Sequence, residues 1–108
     1  MTSKYHNVRN TLAGENYSSL RERNRHLELI LEQRAGRLSN LRREVSFELA
    51  PKAKVLGKLK RSLRYVADFV YERDGALVVE DCKGFRTAMF RLKAHLLKTG
   101  HGIDILLT

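Results

Sequence analysis

One cysteine, Cys82, is all the thiol chemistry in a chain of 108 residues. It supports neither a disulfide framework nor a thiolate-rich zinc site. The four histidines, His6, His26, His95 and His101, lack metal-site spacing and read as surface or internally satisfied side chains. No apolar run nears the roughly 20 residues that span a bilayer, and no signal peptide opens the chain. Internal repeats and low-complexity tracts are missing as well. These absences predict a soluble, cytoplasmic protein of a reducing compartment. Hydrophobic residues make up 43 % of the sequence, enough for a packed core and too many for wholesale disorder. The length predicts one domain, with residues 1–16 as an arm and 17–108 as the folded body.

Acids are also scarce, at 12 against 21 Lys and Arg, a formal net charge of +9. Their placement matters more than their number. Residues 1–64 carry the whole positive excess, whereas residues 65–108 are balanced. Asp68, Glu72, Asp74, Glu80 and Asp81 lie within fourteen residues of one another. Between Lys52 and Arg64 there is no acid at all, only Lys52, Lys54, Lys58, Lys60, Arg61 and Arg64. A basic surface predicts a polyanionic partner, nucleic acid before an anionic membrane. Phosphate needs cations to hold it and carboxylates to set a metal against it.

Local patterns predict the order helix, three strands, helix, strand. Ser19 with Glu22 three residues on forms a capping box, so a helix is expected from about Leu20 to Ala35, ending at Gly36. Leu20, Leu27, Ile30 and Leu31 make its broad apolar face, while Glu22, His26 and Leu29 share a neighbouring stripe. A connection through residue 45 leads to a strand at Ser46–Leu49, stopped by Pro51. Residues 52–64 read as a basic loop placed to grip phosphates. Tyr65–Tyr71 and Leu77–Cys82 are β-rich and flank Asp74-Gly75, a strong hairpin signal. Gly84 breaks the second of these strands. A helix follows over about Thr87–Lys98, turning Phe90, Ala94 or His95, and Leu97 inward, and Ile103–Leu107 is a last strand. The expected class is α/β, with a mixed sheet of four strands flanked by two helices.

A turn centred on Asp74-Gly75 pairs residues whose numbers sum to about 149, which sets Asp68 opposite Asp81. Facing carboxylates about 5 Å apart at Cβ repel each other, and a divalent cation would explain their retention. Mg²⁺, with Mn²⁺ as substitute, would take oxygen from Asp68, Asp81 and the Cys82 carbonyl. Lys83, on the same strand face as Asp81, would orient the attacking water or offset charge on the phosphate. The bland alternative is a cross-strand charge network in which Lys83 neutralises the acids. Cys82 alternates away from Asp81 and is expected to pack in the core.

Ala67-Asp68-Phe69 and Glu80-Asp81-Cys82-Lys83 on one hairpin resemble the active-site hairpin of the PD-(D/E)XK nuclease superfamily, which includes restriction enzymes and Holliday junction resolvases. The chain resembles more closely a family of small phage and prophage proteins, from residue 4 to about 106. The resemblance rests on Lys4-Tyr5-His6-Asn7, the Gly14–Arg23 helix opening, Gly36–Leu41, Phe47-Glu48-Leu49-Ala50-Pro51, Tyr65–Tyr71 and Val78–Lys93. It implies an αβββαβ core, with Asp68, Asp81 and Lys83 as the signature residues and Glu22 as an acid contributed by the first helix. Ala67 stands where the superfamily has proline. Leu20 and Arg23 depart from the family's usual residues around Glu22, as does Ser18. The expected activity is Mg²⁺-dependent endonucleolytic hydrolysis of DNA, in the host cytoplasm if the chain is phage-encoded. Branched DNA is the leading substrate by analogy with small resolvases. Lys52, Lys54, Lys58, Lys60, Arg61, Arg64 and Lys93, with Thr87, are the expected DNA contacts, and Tyr5 in the arm could enter a groove. A homodimer would bring one site to each strand. The alternative is a non-catalytic DNA-binding protein or host-enzyme inhibitor that keeps a nuclease-like fold.

Overall fold

In the computed structural model, residues 11–12, 15–82 and 86–108 are described. Lys83, the strand break at Gly84, the Ala13-Gly14 turn, Tyr5 and His6 lie outside them. Strands β1 (Thr11–Leu12) and β2 (Glu15–Asn16) pair antiparallel just before the first helix, α1 (Leu20–Arg34). Then come β3 (Ser39–Ala50), a small hairpin of β4 (Ala53–Val55) and β5 (Lys58–Lys60), and the long β6 (Leu63–Arg73). The chain closes with β7 (Ala76–Asp81), α2 (Ala88–His101) and β8 (Ile105–Leu107). The main sheet has the order β3-β6-β7-β8, antiparallel except for the parallel β7–β8 pair. It is a mixed α/β fold with two helices and a four-stranded sheet.

Both helices begin as their capping residues dictate. Ser19 accepts the Glu22 N–H, and Thr87 accepts the Phe90 N–H, each satisfying a donor the first turn would otherwise leave orphaned. α2 runs past Gly100 and stops at Gly102, whose left-handed conformation returns its N–H to the Lys98 carbonyl. The β6–β7 hairpin closes through Asp74 (φ 52°) and Gly75 (φ 77°), a two-residue turn with both φ values positive. Its pairs Val70–Val79 and Phe69–Glu80 match the register expected from the turn.

Neighbouring residues of the central strands face opposite sides. Val70 and Val79 pack with Leu97 of α2, whereas Phe69 and Tyr71 pack with Leu29 of α1, so the helices cover the two faces of the sheet. Ala67 joins Val70 on the α2 side, so simple alternation breaks between them; opposite this point Glu44 of β3 has φ 51°. Three expectations need correction. β3 begins at Ser39, not Ser46, because backbone irregularities at Asn40 (φ 54°) and Glu44 are absorbed within the strand. Residues 52–64 hold the β4–β5 hairpin instead of a plain loop.

The third correction concerns α1. Its leucine face points outward, with Leu20, Leu27 and Leu31 at 47, 43 and 54 % exposure, while Glu22, His26 and Leu29 are buried. In α2, Phe90, Ala94 and Leu97 turn inward and His95 is exposed. No helix among the described residues is long and apolar enough to cross a membrane.

Candidate functional site

Asp68 and Asp81 lie one step beyond the last described β6–β7 pair, Phe69–Glu80. Asp81 is buried, and the Tyr65 hydroxyl donates to its Oδ2 at 2.7 Å. The Asp68 carboxylate reaches across the strands: its Oδ2 accepts the Cys82 N–H at 2.8 Å. That bond satisfies a backbone donor just past the end of β7, where the ladder stops. On the far side of β7 the Asp81 carbonyl accepts the Thr108 N–H at 3.1 Å. Burial pushes the Tyr65 hydroxyl well above its ordinary pKa, helped by its bond to Asp81 and by the charges of Asp81 and Asp68. Asp81 is thus bonded to this phenol, while Asp68 is bonded to the backbone at Cys82, the next residue along the chain from Asp81.

Glu22 enters from the first turn of α1. Its backbone N–H goes to Ser19 as the capping box requires, but its carboxylate does not return to the cap. Instead Oε1 accepts from the Ser18 hydroxyl at 2.6 Å, and Oε2 accepts from Arg43 of β3 at 2.9 Å. Arg43 also lies over the Tyr17 ring, 4.0 Å from its centroid. The Cys82 thiol is pushed above its ordinary pKa by burial first; Asp68, Glu80 and Glu22 add to this, while its contact with Thr108 opposes it. Cys82 is partly buried and packs against the cluster of Leu29, Leu38, Phe69 and Tyr71, in line with the expectation that it turns inward. Glu22 and Asp68 thus share an electrostatic neighbourhood at Cys82. Among the described residues, no group of three or more His, Cys, Asp and Glu side chains stands ready for a metal ion.

A further acid, Glu80, was given no role by the sequence. Glu80 is fully buried, and Arg25 of α1 grips both its oxygens, Nε to Oε1 and Nη2 to Oε2, while the Tyr71 hydroxyl donates to Oε2 at 2.6 Å. The Arg25 guanidinium is driven further up, chiefly by that bond to Glu80. Arg25–Glu80 ties α1 to β7, and Arg43–Glu22 ties it to β3. His26 sits on the same buried stripe, with Nδ1 2.5 Å from the Tyr17 hydroxyl and its ring stacked on Phe69. This fits the expectation of an internally satisfied histidine. His101 is satisfied too, at 2.7 Å from the Glu48 carbonyl. Tyr65, Arg43 and Arg25 gave no local signal, since their partners lie 16, 21 and 55 residues away.

Next to the acids, on the α2 side, a cleft of about 280 Å³ is lined by Arg64, Tyr65, Val66, Thr87, Met89, Phe90 and Lys93. Tyr65 connects the two, since it both lines the cleft and holds Asp81. Arg64 and Lys93, two of the expected DNA contacts, stand here. Arg64 also donates to Ser46 Oγ at 2.7 Å and lies 3.5 Å from Glu48. Lys52, Lys54, Lys58, Lys60 and Arg61 are all exposed on or beside the β4–β5 hairpin.

A family model covers this arrangement almost end to end. The chain belongs to the family described as "Protein of unknown function (DUF1064)", matched over residues 2–104. The match takes in both helices' packed turns, the acid-bearing hairpin and the basic hairpin. No curated protein and no solved structure matches the chain.

Proposed function

We propose that this chain is a metal-dependent DNA endonuclease of the PD-(D/E)XK type, acting through Asp68, Asp81 and Lys83. The observation that carries the reading is the place of Asp68 and Asp81, each one step beyond the Phe69–Glu80 pair of the β6–β7 hairpin, with Asp81 held by the Tyr65 hydroxyl and Asp68 by the Cys82 N–H. The order helix, three strands of the main sheet, helix, parallel strand supports it.

The donor set fits Mg²⁺, a hard cation usually held by one or two carboxylates together with substrate phosphate oxygens. Asp68 and Asp81 would hold it, with the Cys82 carbonyl next in line. When bound, the metal polarises the scissile phosphate and acidifies a water. The chain's own residues then have defined tasks. Tyr65 fixes the Asp81 carboxylate by hydrogen bonding, and the Cys82 N–H fixes that of Asp68. Arg64 and Lys93 hold phosphates along the adjoining cleft, and Lys83 offsets charge developing on the phosphate. The test is incubation of the purified protein with linear, supercoiled and four-way-junction DNA, with and without Mg²⁺. Junction cleavage that requires Mg²⁺ is the expected result. No cleavage of any form, with DNA binding intact, sinks the enzyme reading.

One observation favours the non-catalytic alternative: Glu22 spends both oxygens on Ser18 and Arg43, as a structural acid does. Glu22 is accordingly a positioning residue in our reading, holding α1 against β3. The homodimer is proposed through the outward face of α1. Leu20, Asn24, Leu27 and Leu31 recur at the spacing of a two-stranded coiled coil, with one polar Asn among the leucines. In a parallel pair Arg23 of one copy meets Glu28 of the other, so the face complements itself.

A further inference from the structure

The two tight hairpins of this protein have the same backbone and different chemistry. β6–β7 turns through Asp74-Gly75 and β4–β5 through Leu56-Gly57, both with positive φ at each position: 52° and 77°, then 49° and 79°. Such turns favour Asn, Asp or Gly at the first position, because a Cβ is strained there and a short polar side chain offsets part of the strain. Asp74 follows that rule. Leu56 breaks it, and it is also 98 % exposed, so no packing among the described residues compensates. A leucine in strained backbone, projecting fully into water, stands where local stability would choose otherwise.

The flanks identify what it meets. The pairs Ala53–Lys60, Lys54–Leu59 and Val55–Lys58 put directly opposed residues on the same face of the ribbon. Lys58 and Lys60 therefore share one face with Ala53 and Val55, while Lys54 shares the other with Leu59. Neither face is apolar throughout, which a segment lying flat in a bilayer would need. Cations on both faces, with no acid between Lys52 and Arg64, instead suit a groove whose two walls are rows of phosphates. A two-stranded ribbon is narrow enough to enter a DNA groove, and an apolar side chain at its tip can wedge into a base step from the minor groove.

We infer that the β4–β5 hairpin is a DNA-distorting arm, in which Lys54, Lys58 and Lys60 track the phosphates and Leu56 unstacks a base step. This deepens the nuclease reading, because an arm that prefers pre-opened steps would favour branched or kinked DNA, where unstacking is already partly done. The step involves no covalent chemistry, so it is measured without cleavage.

The experiment uses the full chain without divalent metal, mixed with a four-way junction or duplex carrying 2-aminopurine, whose fluorescence rises on unstacking. Wild type and Leu56→Met are expected to give a several-fold rise at a defined step. Leu56→Asn, which relieves the turn, should lose that rise and bind several-fold more weakly, with an unchanged salt slope and no loss of thermal stability. An equal fluorescence rise with Leu56→Asn overturns the proposal. So does loss of binding to phosphatidylserine vesicles in Leu56→Asn while its DNA signal stays intact, which would make the tip a membrane contact. A wild-type protein that unstacks DNA but never cuts it with Mg²⁺ would sink the nuclease reading and leave the arm standing. One that cuts without unstacking would do the reverse.

Discussion

Replacing Glu22 by Gln separates a structural acid from a metal-binding one. The Glu22 side chain is 6 % exposed, and that of Arg43 opposite it is 10 % exposed. Breaking a buried ion pair by removing one partner costs about 3–5 kcal/mol, because the surviving charge is left without compensation. Two features lower that figure here. Gln keeps an oxygen for one of the two bonds, and Arg43 also reaches Glu44 at 3.3 Å and the Asn16 carbonyl at 3.2 Å. A charge-assisted hydrogen bond is worth about 1.5–3 kcal/mol, so Glu22→Gln should destabilise by about 2–3 kcal/mol. For a domain of this size that lowers the melting temperature by roughly 8–15 °C. Removing both charges in Glu22→Gln/Arg43→Met should recover much of the loss, and a double-mutant cycle should show coupling of about 1–2 kcal/mol. The assay is thermal and urea unfolding of the four proteins, together with the Mg²⁺ concentration for half-maximal cleavage. Structural positioning predicts a large melting shift and an unchanged Mg²⁺ requirement in the folded fraction. A melting temperature within a degree of wild type, with about 10–100-fold more Mg²⁺ needed, would refute this reasoning and make Glu22 part of the metal site.

The other expectations are more direct. Asp68→Asn and Asp81→Asn should each abolish Mg²⁺-dependent cleavage while DNA binding, followed by gel shift, holds or tightens, because Asn can still accept from the Cys82 N–H or the Tyr65 hydroxyl; wild-type rates in either would remove that acid from the chemistry. Neutralising Lys58, Lys60 and Arg61 together should flatten the slope of log K against log salt by about 2.7 on duplex DNA, if each holds one phosphate. Leu27→Lys should turn a concentration-dependent dimer into a monomer by sedimentation equilibrium, with circular dichroism unchanged, since the side chain lies on the outer face of α1. Tyr65 has a folded-state pKa raised above its ordinary 10.0, so the fold holds this proton more tightly than the unfolded chain does. Its contribution is therefore complete below about pH 10 and lost as pH rises further, and unfolding of Tyr65→Phe should show a weaker fall in stability on the alkaline side.

Short-range chemistry was legible without the fold. Ser19 and Thr87 start their helices because a hydroxyl is needed where backbone N–H groups lack partners, and Asp74-Gly75 sets the β6–β7 register as far as Phe69–Glu80, one step short of Asp68 and Asp81. The element order followed from these signals and from β-rich segments of the right length. The same logic overlooked the second hairpin, because Leu56-Gly57 uses a residue that turn propensity disfavours. It also began β3 too late in the chain, since irregular positions such as Asn40 and Glu44 read as a loop when taken alone.

What the sequence by itself determined, then, is which residues share a helical stripe or, away from irregular positions such as the stretch between Ala67 and Val70, a strand face, because that depends only on the local repeat of the backbone. Which stripe turns inward is a tertiary decision. On α1 the leucines looked like the buried face, yet Glu22, His26 and Leu29 occupy it. Arg43 and Tyr17 arrive from outside the helix to pair with Glu22 and His26, and Arg25 of α1 reaches across to Glu80 of β7, which makes burying these groups tolerable. Such compensation is energetic rather than periodic, and its partners are separated by up to 55 residues. Only the assembled sheet brings them within reach.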